Sequence, residues 1–232
     1  MRPLSPNALV RVSLMEDHRP GINCYNITDV EGLRLENTWA HTYNQAALVK
    51  GVKSAAARAS AEKLGLSVSE FESFNFLDQL DSTVNTRGIE IRNIVVPAEY
   101  RGLGWIDHVR VMNHRLDYSE VTRVLNHMAM WHHCTVVGAP LIILEHDAVL
   151  DSTPVTHLPR NSVIGLDTKG TLTQVNTNYR VMPGVWAYAV DQFSSKRLFN
   201  QILSQGIREP LELMFRADQR LIVLKDHAHR TV

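Results

Sequence analysis

Residues 141–150 read LIILEHDAVL, and the fold turns on this stretch. Leu141–Leu144 form an apolar run too brief for a helix and continuous enough for a strand buried on both faces. Gly138-Ala-Pro140 punctuates the chain just before it. Glu145 and Asp147 follow at once, with His146 between them. On an extended chain, residues i and i+2 point to the same side. Two carboxylates placed that way repel each other unless positive charge stands between them. A hard divalent cation, manganese or magnesium, meets that demand with oxygen ligands and keeps open positions for substrate phosphates. A loop with two solvated acids and one histidine is the plainer alternative, and spacing alone leaves both readings open.

Upstream, the pattern predicts a helix capped by Asp117 or Ser119 and running to about Val136. Val121, Leu125, Met128 and His132 share one face at three- and four-residue spacing. Residues 39–64 read as a helix rich in Ala, Lys and Glu that stops at Gly65. Ser67-Val-Ser-Glu70 has the capping-box pattern and predicts another helix, with Phe71, Phe74 and Leu77 on one face. Strands are expected at 8–14, 89–96, 162–166, 185–190 and 222–224, and a further helix at 194–203 ending near Gly206. Strands alternating with helices predict an α/β fold with a mostly parallel central sheet flanked by helices. Ligands of such sheets bind beyond the carboxyl ends of the strands, where Glu145 and Asp147 fall.

Composition narrows the class. A chain of 232 residues with 44% hydrophobic and 21% charged residues is expected to fold as a single domain, 1–232. No apolar run approaches a membrane span, and the opening MRPLSPNALVRV lacks a signal peptide's apolar core. Two cysteines, Cys24 and Cys134, without a CxxC pattern fit reduced thiols and a cytoplasmic setting. The net charge is zero, which does not indicate a basic nucleic-acid binder, although residues 1–159 carry −4 and 160–232 carry +4.

Glu120-Val-Thr-Arg-Val-Leu-Asn-His127-Met-Ala-Met-Trp131, followed by the apolar strand, Glu145 and Asp147, resembles the signature of a glycosyltransferase family. That family contains the lipopolysaccharide-biosynthesis galactosyltransferases and the collagen hydroxylysine galactosyltransferases. Glu120, Leu125, His127 and Trp131 fall at matching positions, as do Glu145 and Asp147. Thr122, Arg123, Asn126 and His146 depart from the family's Gly, Cys, Ser and Asp. The strong part of the resemblance covers about 117–150. VSLMEDHR at 12–19 is similar to the family's first strand and turn, with Arg19 matching an arginine. PGVWAYAVDQFSSKRLF at 183–199 is similar to a later segment, and Pro210-Leu-Glu212 stands where the family places Pro-Val-Asp.

The resemblance implies a GT-A-like nucleotide-sugar-binding fold. It implies transfer of a hexosyl or pentosyl group from a nucleotide diphosphate sugar to an acceptor hydroxyl, with inversion. Glu145 and Asp147 would hold manganese or magnesium against the diphosphate, and His227 or His229 would complete the metal site. Arg19, Glu120, His127 and Glu145 would line the donor pocket. Glu212 would accept the proton of the acceptor hydroxyl, with Asp191 in reserve. Members of the family act on glycan chains and on hydroxylated protein side chains; apart from the resemblance, a hydroxymethylated base in DNA offers another primary hydroxyl, and the +4 of residues 160–232 leaves it open as an acceptor. Glu120 also sits in a first helical turn, where a carboxylate is favoured by the dipole alone. His132 and His133 read as structural residues and Trp131 as core rather than a sugar platform.

Other chemistries lack their patterns. HExxH is absent, Gly102-Leu-Gly104 lacks the third glycine of a dinucleotide fingerprint, and neither a P-loop nor a nucleophile elbow occurs. The alternative from a different class is a nucleotide-sugar- or glycan-binding module that keeps the fold without catalysis.

Overall fold

The computed structural model describes residues 24–27, 40–41, 43–76, 94–113, 115–152, 158–159, 162–167, 173–176, 179–181, 185–214 and 220–231. The strand expected at 8–14, Arg19 and most of 89–96 lie outside these residues.

An α/β fold is present, built on one eight-stranded sheet. Its strands are β1 (Cys24–Ile27), β2 (Gln45–Val49), β3 (Ser67–Phe71), β4 (Leu141–Leu144), β5 (Ala148–Leu150), β6 (Ser162–Asp167), β7 (Ala187–Val190) and β8 (Arg220–Arg230). The order is β1-β8-β6-β7-β4-β2-β3, with β5 paired to β8. The neighbours β3–β2, β2–β4, β6–β8 and β8–β1 are parallel. β7 runs antiparallel to both β4 and β6, and β5 runs antiparallel to β8. The helices are α1 (Ser54–Lys63), α2 (Tyr118–Val137), α3 (Gln192–Gln205) and the short α4 (Leu211–Met214).

Strand alternation divides the core into two layers. Leu141 and Ile143 face the side that carries α2 and α3, together with Ala47, Tyr188 and Val190. Ile142 and Leu144 face the side of α1, together with Ala46, Leu48, Ala57 and Ala61. All four residues of β4 are buried, as the uninterrupted apolar run requires. Glu145 continues the odd-numbered series and emerges toward α2.

Two helical expectations fail. Residues 45–49 form the buried strand β2, between β4 and β3, rather than part of a helix over 39–64. Only 54–63 of that stretch is helical. Ala-Ala-Leu favours a helix intrinsically, but a place in mid-sheet buries both of its faces. Ser67–Phe71 is likewise a strand, despite its capping-box pattern. Its S-V-S-E-F alternation is read by the sheet with period two, and Glu70 meets Arg58 of α1 at 3.3 Å. The equivalent pattern at Asp117 does form a capping box. Asp117 accepts from the Glu120 N–H at 2.8 Å, and Glu120 accepts from the Asp117 N–H at 3.0 Å. Gly138 then ends α2 in the left-handed region at φ 69°, where glycine carries no Cβ penalty.

Candidate functional site

The carboxyl end of β4 gathers side chains from four elements. Glu145 lies past the strand, its N–H donating to the Trp186 carbonyl at 2.8 Å. The chain then turns rather than extends, with the Ala148 N–H donating to the Glu145 carbonyl at 3.1 Å. The two acids therefore converge through a turn, not through the same-side geometry of a strand.

Glu145 is almost buried and meets α2 twice. Arg123 pairs with Glu145 Oε1, and His127 Nε2 lies 3.3 Å from the same oxygen. Arg123 and His127 are four residues apart and so share a helical face. Behind them, His127 Nδ1 is 2.6 Å from the Tyr188 hydroxyl, and the two rings stack with centroids 5.5 Å apart. Trp131 Nε1 donates to the same hydroxyl at 2.9 Å. Tyr188 stands beside Ile143 in the sheet, so its ring faces α2. His127, Trp131 and Tyr188 are all fully buried. Burial by itself would raise the Glu145 pKa. The hydrogen bond and charge of His127 and the Arg123 guanidinium outweigh it and bring the carboxyl down to about 2.

Asp147 is met by the last residue of β8. Arg230 donates from Nε at 2.9 Å and from Nη2 at 2.8 Å to Asp147 Oδ2, and Nη2 lies 3.8 Å from Glu145 Oε2. The guanidinium thus occupies the place between the two carboxylates where positive charge was expected. Main-chain bonds fix it there: Arg230 pairs with Ala148, and the Thr231 N–H donates to the Asp147 carbonyl at 2.9 Å. Lys53, at the start of α1, donates to the Thr231 carbonyl at 3.0 Å.

The donor set can be compared with what manganese or magnesium requires. Glu145 Oε1 is taken by Arg123 and His127, and Asp147 Oδ2 by Arg230. Asp147 Oδ1 is buried without a hydrogen-bond partner, as is Nδ1 of the neighbouring His146. Among the described residues, no group of three or more His, Cys, Asp and Glu is placed to hold a metal. So arranged, the residues fit a guanidinium rather than a divalent ion with several oxygen ligands.

The other expected site residues scatter. His146 turns toward the loop after β2, where a Cβ on Gly51 would stand 2.6 Å from its Cγ. Close approach by that ring therefore requires a glycine at 51. His227 meets Ser152 Oγ at 2.8 Å, and His229 meets Asp151 at 2.8 Å; neither joins the acid pair. Glu120 closes the capping box of α2, which is the structural reading of its position. Asp191 is fully buried as the N-cap of α3, accepting from the Ser194 N–H at 2.8 Å. Because β7 runs against β4, Asp191 lies at the opposite sheet end from Glu145, about 15 Å away along the strand. Glu212 belongs to α4, and its side chain lies outside the described residues, as does Arg19.

Three members of the site were not singled out from the sequence as site residues. Arg123 stands in the sequence as a departure from the family pattern, although its four-residue spacing from His127 puts both on one helical face. Tyr188 falls inside the segment 183–199 that is similar to the family, with no role attached to it. Arg230 carries no local signal at all. His132 and His133 are half-buried at the edge of the core, with ring centroids 5.4 Å from Phe199 and 5.2 Å from Phe71 respectively, and burial lowers the pKa of each. Compared with protein-family models and with curated proteins, the chain matches none.

Proposed function

We propose that the chain is a glycosyltransferase of GT-A-like fold that moves a sugar from a nucleotide diphosphate sugar to an acceptor hydroxyl, with inversion. One observation carries the reading. His127 of α2 and Glu145 just past β4, which the resemblance assigns to the donor pocket, meet at the carboxyl end of a central strand. Open α/β sheets bind their ligands at such ends. A sheet that is parallel except for β7 and β5 also agrees with the proposed fold.

In this reading the residues divide the work. Arg123 and His127 hold Glu145 ionised, and the Tyr188 hydroxyl fixes the imidazole from behind. Glu145 orients the donor by accepting from sugar hydroxyls through Oε2. The cations around the acid pair offset charge on the departing diphosphate. Glu212 is the proposed base for the acceptor hydroxyl. The acceptor is a glycan or a hydroxymethylated base in DNA. The second reading, a binding module without catalysis, is favoured by one feature: both carboxylates already have side-chain cations for partners.

The test is thermal stabilisation by UDP, GDP, CDP, ADP and their sugars, with and without manganese. A ligand at a hundred times its Kd adds about 2.7 kcal/mol of apparent stability. One nucleotide raising the Tm, with slow release of its sugar to water, is the expected result. Stabilisation without any sugar release moves the chain to the binding module. No shift with any ligand overturns the transferase reading and leaves the binding module, with a glycan as its ligand.

A further inference from the structure

We propose that Arg230 is the resident cation of this site: its guanidinium takes the position between Glu145 and Asp147 that a divalent ion would need, and its free N–H edge receives the donor's diphosphate. The inference rests on the transferase reading and changes its cofactor requirement.

Three observations carry it. First, Arg230 makes charge-assisted bonds from Nε and Nη2 to one Asp147 oxygen and approaches Glu145 with the same Nη2. A divalent ion binding both carboxylates would have to displace this guanidinium or sit beside it, charge against charge. Second, the placement is fixed by the main chain on both sides. Arg230 is in register with Ala148, and the Thr231 amide is bonded to Asp147 itself. Rotating the guanidinium away leaves the strand end in place, Asp147 without its cation and Glu145 held by Arg123 and His127 alone. Third, the Arg230 side chain is 52% exposed, whereas those of Glu145 and Asp147 are 13% and 12% exposed. The acids sit behind the arginine, and the arginine faces solvent. A guanidinium has five N–H donors in a fixed fork, and Arg230 Nη1 has no partner among the described residues. Such a fork matches a phosphate's oxygens. Lys53, bonded to the Thr231 carbonyl, adds a second positive charge near the same strand end.

The experiment is isothermal titration of UDP, GDP, CDP and ADP in EDTA and again in excess manganese. The wild-type chain is compared with Arg230→Met and Arg230→Lys. The tightest nucleotide is expected to bind the wild type with the same Kd, within about threefold, in both buffers. Arg230→Met should weaken binding in EDTA about tenfold or more, as expected for charge-assisted hydrogen bonds. Arg230→Lys, which keeps the charge but not the fork, should fall between them. A titration of manganese alone, followed by its paramagnetic resonance, should show no binding to the wild type and measurable binding to Arg230→Met, in which Asp147 and the Oε2 side of Glu145 are freed of the guanidinium. Binding to the wild type only in manganese overturns this inference and leaves the transferase reading standing. So does tight manganese binding by the wild type alone, or unchanged nucleotide affinity of Arg230→Met in EDTA. Absence of nucleotide binding in both buffers overturns the inference and the transferase reading together.

Discussion

Two buried carboxylates stand at opposite ends of the central sheet, and their partners differ. Asp191, after β7, gives an oxygen to the backbone of the helix it starts. Glu145, after β4, is met by side chains: Arg123 and His127 from α2, with Arg230 from β8 nearby. A carboxylate answered by its own following backbone is building a helix terminus. One answered by side chains from separate elements is held in place by the assembled fold, and its charge can be used by a ligand. Burial alone does not separate the two cases, because both acids are largely hidden from water.

Replacing Glu145 by Gln breaks this contrast most strongly. The Glu145 pKa falls from an ordinary 4.5 to about 2, because His127 and Arg123 overcome the burial that would raise it. The ionised form therefore stabilises the fold fully above about pH 4.5, and this contribution is lost as the pH falls toward 2. Glu145→Gln should cost on the order of 3 kcal/mol at neutral pH. It should also flatten that part of the acid limb, as read by urea denaturation at a series of pH values. An unchanged acid limb would show that the network does not hold the charge.

Tyr188→Phe asks whether the network extends behind His127. Removing the hydroxyl that His127 and Trp131 share should cost about 1–3 kcal/mol, measured by the same denaturation at neutral pH. At the other end, Asp191→Ala should cost about 1 kcal/mol through loss of the cap, and Asp191→Asn should recover most of it. Nucleotide binding should be indifferent to both Asp191 variants; a change in Kd would connect the two ends. The smallest effect is expected away from either end. Arg58 pairs with Glu62 and Glu70 on the half-exposed side of α1, and Arg58→Ala should leave the urea midpoint nearly unchanged.

The elements legible in the sequence are those whose signals are local. α2 announces itself through Asp117, Glu120 and its apolar face, and ends where Gly138 supplies the left-handed residue. β4 is an unbroken apolar tetrapeptide. The same local rules misread 45–49 and 67–71, where helical propensity and a capping-box pattern were overridden by pairing in the sheet. Of the site, His127, Glu145 and Asp147 were legible through their pattern around α2 and β4. The expected scheme of His227 or His229 beside the acids was not met, since β8 directs both histidines to Ser152 and Asp151.

By itself, then, the sequence determined that helix α2 precedes a buried strand, and that two acids emerge from the strand's end needing positive charge. Both follow from spacing within some thirty residues. Which cation answers them was decided by tertiary structure. Arg230 lies 83 residues from Asp147, and only pairing of β8 with β5 brings it there. No local periodicity records a contact of that range, because the energy that fixes it comes from closing the sheet.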